Sequence, residues 1–110
     1  MKEAGMTLEI QMLACLSTGH VDEQTARELD ALVENPLPTA ARDVPDIWQG
    51  QIVAERWQQY GWFVWVRSPG RDAMPSSLRA CLTLAEAAGA TWIQFDRYCA
   101  PIDALQVHDW

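Results

Sequence analysis

The chain has 110 residues, enough for one domain with a single core spanning 1–110, and its 49% hydrophobic and 21% charged residues exclude an intrinsically disordered segment. Fifteen acidic against eight basic side chains, seven of them arginine, give a net charge of -7, which disfavours direct binding to nucleic acid because phosphate contacts need clustered cations. The apolar runs, such as residues 62–66, fall far short of the ~20 residues of a membrane span, no secretory leader pattern opens the chain, and Cys15, Cys81 and Cys99 are too scattered for a disulfide framework, so a reduced, cytoplasmic protein without a membrane partner is expected.

Residues 7–17 alternate, with Leu8, Ile10, Met12, Ala14 and Leu16 on one face and Glu9, Gln11, Leu13 and Cys15 on the other, which predicts a first strand. Asp22 is a helix N-cap flanked by Val21 and Ala26 as a hydrophobic staple, and Thr25, Leu29, Leu32 and Val33 continue at helical spacing to about Glu34. Pro36, Pro38 and Pro45 then mark a connecting loop over about 35–50. Residues 52–57 and 62–66 are rich in β-branched and aromatic side chains and form a hairpin around a four-residue loop, 58–61.

Residues 68–72 form a turn, and Pro75-Ser76-Ser77 opens a second helix with Leu78, Cys81, Leu82, Ala85 and Ala88 at core spacing and Gly89 as its C-cap. A last strand covers 91–95, and 98–110 is an extended tail with one short extended piece at 105–108. The order is βαββαβ, an α+β domain of the ferredoxin-like kind: a four-stranded antiparallel sheet with two helices on one face. In the usual strand order of that fold the first strand runs antiparallel to the third and fourth. Ser17 to His20 and the pair Asp96-Arg97 then fall at opposite ends of the sheet.

Chemistry is sparse. Ser17, Thr18 and His20 offer a nucleophile and a base without the oriented third group and oxyanion donors that acyl transfer needs, so they are expected to serve a turn, with His20 at the surface or half-buried. His108 and Asp109 make no recognisable constellation either. His and Cys lack the short paired spacings of a zinc site, and no phosphate-binding glycine loop is present, so neither metal nor cofactor is expected and the chain does not read as an enzyme. Asp22 and Glu23 suit the first turn of a helix, where acidic groups offset the macrodipole.

Six tryptophans, Trp48, Trp57, Trp62, Trp65, Trp92 and Trp110, are many for this length. Alternation sets Trp62, Val64 and Val66 on one face of the third strand and Phe63 and Trp65 on the other, so two helices on one side cannot cover both. The open face would combine Phe63 or Trp65 with Glu9, Gln11, Leu13, Glu55 and one of Trp57 or Trp92. Aromatics ringed by polar groups suit the centre of an interface. Either a partner covers this face, or the proline segment or the tail with Trp110 does. Asp96 and Arg97 are a local ion pair or part of the contact surface.

The blocks Ser17-Thr18-Gly19-His20-Val21, 60–66, 78–82, 92–97 and the closing Asp109-Trp110 resemble a family of small uncharacterised proteins, a domain of unknown function carried on bacterial plasmids, integrative elements and phage-like islands. The loop at 35–50 matches none of these blocks. The resemblance assigns no catalytic residue. Its setting, together with the acidic charge, implies a non-enzymatic protein-binding domain, an inhibitor of a host defence complex of the anti-CRISPR or anti-restriction kind, which would occupy a basic nucleic-acid channel. The alternatives are a homodimeric accessory protein paired through the aromatic sheet face and a small-molecule domain using Ser17, Thr18 and His20 or Asp96 and Arg97.

Overall fold

A computed structural model describes residues 8–34 and 52–110. Thr7, the proline segment and Trp48 lie outside the described residues. The elements run β1 (Leu13–Leu16), α1 (Glu23–Glu34), β2 (Ala54–Trp57), β3 (Gly61–Trp65), α2 (Ser76–Ala87) and β4 (Trp92–Asp96), with short 3-10 turns at Thr18–His20 and Arg71–Ala73. The α+β class and the βαββαβ order match expectation.

The sheet does not match it in one respect. Its order is β1-β4-β3-β2, and it is mixed: β1 runs parallel to β4, while β4, β3 and β2 are antiparallel neighbours. The reason lies in burial. Ile93 and Phe95 of β4 are fully buried, so β4 takes an interior position, whereas β1, whose Leu13 and Cys15 remain exposed, sits at the edge. Because β1 and β4 are parallel, Ser17–His20 and Asp96-Arg97 emerge at the same end of the sheet, not at opposite ends.

The facing of β3 is as the alternation predicts. Ala14, Ile93, Val64 and Ala54 form one inward row across the sheet, and Leu16, Phe95, Trp62 and Arg56 the next. These rows share a buried core with Leu29 and Ala26 of α1 and with Leu78, Cys81, Leu82 and Ala85 of α2, so the helices cover this face. Asp22 accepts the Thr25 amide at 2.8 Å, the cap expected of it, and its second oxygen accepts the Thr25 hydroxyl at 3.0 Å and the Ser77 hydroxyl at 2.8 Å, tying the starts of the two helices together. Burial pushes the Asp22 carboxyl up, but the hydrogen bonds from Thr25 and Ser77 outweigh it and hold the group below the ordinary carboxylate range.

Other boundaries shift. β1 spans four residues rather than the whole of 7–17, and Leu8, Ile10 and Met12 are exposed instead of facing the core. The hairpin loop has three residues, 58–60, with Gln58 in the left-handed region at φ 48, because Gly61 already pairs with Trp57 and Asp96. A side chain on Gly61 would overlap the Phe95 carbonyl oxygen, so only glycine lets β3 approach β4 there. Ala88 lies exposed beyond α2, and Gly89 ends that helix at φ 88. The tail forms no strand at 105–108. Among the described residues no helix is long and apolar enough to cross a membrane.

Candidate interaction surface

The outer face of the sheet carries the side chains that the helices leave uncovered. Its rows are Leu13, Trp92 and Trp65; then Cys15, Gln94, Phe63 and Glu55; then Asp96, Gly61 and Trp57. Phe63, Trp65, Trp92 and Trp57 are each half-buried, and Glu55, Leu13 and Cys15 are exposed. Where either Phe63 or Trp65 and one of Trp57 or Trp92 are expected, all four lie on this face. Glu9 stands at the rim beyond β1, where it accepts the Gln11 side-chain amide at 2.9 Å; Gln11 in turn accepts the Trp92 indole N–H at 2.9 Å.

At the end of the sheet where β2 and β4 finish, the aromatic surface continues. Trp57 lies 5.1 Å from Phe63 and 5.9 Å from Tyr60, and Tyr60 lies 5.5 Å from Tyr98, ring centre to ring centre. Arg97 stacks over both tyrosines, 5.1 Å from the Tyr98 ring and 5.9 Å from that of Tyr60. Asp96 and Arg97 form no ion pair. Asp96 instead accepts the Tyr98 amide at 2.8 Å and the Trp57 indole N–H at 3.1 Å, with the Gln94 amide at 3.5 Å. The Tyr98 and Trp57 bonds hold its carboxyl below the ordinary carboxylate range, so the group is ionised at neutral pH.

A cleft of about 380 Å³ opens at the same end, lined among others by Thr18, Gly19, Tyr60, Arg97, His108 and Trp110. Parallel pairing of β1 with β4 brings these segments together. Of its two arginines, Arg56 is bound to Asp30 at 3.0 Å and Glu34 at 2.6 Å, and Asp30 also accepts the indole N–H of buried Trp62 at 2.9 Å.

His20 is not a surface turn residue. It is buried, its Nδ1 lies 2.9 Å from the Gln106 carbonyl oxygen, and its Nε2 accepts the Ile102 amide at 3.0 Å. A ring with its proton on Nδ1 satisfies both contacts, which leaves no nitrogen for catalysis. Ser17 accepts the Gly19 amide at 3.1 Å, the turn role expected of it. The tail is held further by the His108 amide on the Gly19 carbonyl at 2.8 Å and by the Trp110 indole N–H on the Val21 carbonyl at 2.8 Å. These bonds fasten residues 102–110 beside the 3-10 turn, whereas Tyr98, at the start of the tail, joins the aromatic surface.

Burial pushes the Cys81 thiol up to about 12, which makes it an inert core residue. Among the described residues no group of three His, Cys, Asp or Glu side chains could hold a metal ion. Tyr60 and Tyr98 were missed from the sequence, because only the joining of the hairpin loop to the end of β4 makes them neighbours.

Comparisons with curated proteins and with solved structures find no match. A family model described as the C-terminal domain of a family of unknown function, DUF5983, matches residues 13–110, and the chain belongs to that family.

Proposed function

We propose that the domain is a non-enzymatic protein-binding module whose outer sheet face is the binding surface. One observation carries this reading: Trp57, Phe63, Trp65 and Trp92 lie half-buried on one face and run on into Tyr60, Tyr98 and Arg97. Trp, Tyr and Arg dominate the energetic centres of protein interfaces, because each joins a large flat contact area to a polar tip. Glu55 and ionised Asp96 border this surface, and the chain carries a net charge of -7, so a basic partner surface is favoured.

A partner of that kind is the positively charged nucleic-acid channel of a host defence complex, and the domain would act there as an acidic inhibitor of the anti-CRISPR or anti-restriction type. This accords with the setting on bacterial mobile elements and phage that the sequence resemblance implies. The test is affinity capture from bacterial lysate at low and high salt, followed by reconstitution with the recovered complex. Binding should weaken as salt screens the charges and should fall sharply for Trp65→Ala, by about 2 kcal/mol if that residue is an energetic centre. Binding indifferent to both salt and Trp65→Ala would reject the reading.

The cleft beside Thr18, Arg97 and His108 supports a second reading, a small-molecule site, since its 380 Å³ lies near the lower end of the range for ligand pockets. His20 has no place in such a site.

A further inference from the structure

Among the described residues β1 is hydrogen-bonded to β4 alone, so its other side presents unpaired backbone groups. Such an edge is a template for another strand unless charge, proline or a bulge blocks it. The opposite edge, β2, carries Glu55 and Arg56 within its four residues. By contrast, β1 reads Leu-Ala-Cys-Leu, and the segment before it, 8–12, contains one charge, Glu9. Within six positions Leu8, Ile10, Met12 and Leu13 are 82%, 85%, 61% and 48% exposed. Isolated exposed apolar side chains are ordinary; four within six positions beside an open edge are not.

We infer that this edge pairs antiparallel with the same edge of a second copy, drawing residues 8–12 into the strand and joining two sheets of four strands into one. The pattern is self-complementary. With a two-fold axis at Met12, Leu8 lies opposite Leu16 and Ile10 opposite Ala14, so apolar residues meet apolar residues on one face. Glu9 then lies opposite Cys15, so no like charges face each other although each copy carries a net charge of -7. The sheet order also removes the contact from the acidic helix: α1 packs on β2, at the far side of the sheet from β1. The hydrogen bonds from the Thr91 and Trp92 amides to the Met12 carbonyl, at 2.8 and 3.3 Å, anchor the start of the strand that would be extended.

The pairing uses the backbone edge of β1, whereas Trp57, Phe63 and Trp65 of the proposed partner surface lie on β2 and β3. Sedimentation equilibrium of the intact chain, from micromolar to near-millimolar concentration, tests it. Wild type should be a reversible dimer, and Leu8→Lys with Ile10→Lys should raise its dissociation constant about tenfold or more, because two ammonium groups would enter an apolar contact. Circular dichroism should stay unchanged, since both side chains are largely solvent-exposed in the monomer, and Trp65→Ala should dimerise as wild type does. A wild-type chain that remains monomeric overturns the inference. So does any dimer that the double substitution leaves intact. Neither result bears on partner capture, which is scored separately with Trp65→Ala.

Discussion

The indole N–H of Trp57, at the end of β2, donates to the carboxylate of Asp96, at the end of β4, at 3.1 Å and across the intervening β3. One polar contact thereby closes the end of the sheet and orients two residues of the candidate surface. Because the folded state holds the Asp96 carboxyl below its ordinary range, the ionised form contributes stability at neutral pH. That contribution is present above the unfolded-state value and is lost as pH falls through the folded one. Asp96→Asn should therefore melt lower than wild type at pH 7 and lose less stability on acidification. Thermal melts across the acid range would check this; parallel curves for the two proteins would refute it.

Asp22 ties both helix starts together through Thr25 and Ser77. Asp22→Ala should cost about 1 to 2 kcal/mol, the usual loss for an N-cap, as read from urea unfolding. Ser77→Ala should cost less, because Asp22 keeps its Thr25 bonds.

His20 fastens the tail. Replacing it with alanine leaves the Ile102 amide and the Gln106 carbonyl without their partner, at a cost of about 1 to 3 kcal/mol. Hydrogen exchange should quicken at Ile102 and at His108 while the β3 and β4 amides stay protected. Uniform loss of protection would mean that His20 supports the whole core instead.

Gly61→Ala sets a methyl group against the Phe95 carbonyl, in backbone that cannot swing aside as a flexible side chain could. It should destabilise by about 1 to 3 kcal/mol, the range for overpacking. Gly19→Ala, whose added carbon would make ordinary contacts with Ser17 and Val107, should change stability much less.

How much of this was legible in the sequence follows from what each signal measures. Alternation reports which residues share a face, and it placed Trp62 and Val64 inward and Phe63 and Trp65 outward correctly. It carries no information on strand order, since β1 and β4 both have an apolar inward face and only packing in three dimensions decides that β4 lies inside. The error about the two ends of the sheet came from that step alone. Helix starts were legible because Asp22 and Pro75 act locally. The burial of His20 was not, because its partners lie 82 and 86 positions away. Leu8, Ile10 and Met12 alternate as a strand does, yet their side chains are exposed.

The indoles also differ in their polar tips. Those of Trp57, Trp62, Trp92 and Trp110 each donate to an acceptor within the domain, whereas that of Trp65 has none among the described residues. In a nitrogen-proton correlation spectrum this makes Trp65 a built-in probe. Its indole signal should exchange fastest with solvent when the outer face is bare and slow when something settles on it, reporting occupancy of the surface without any added label.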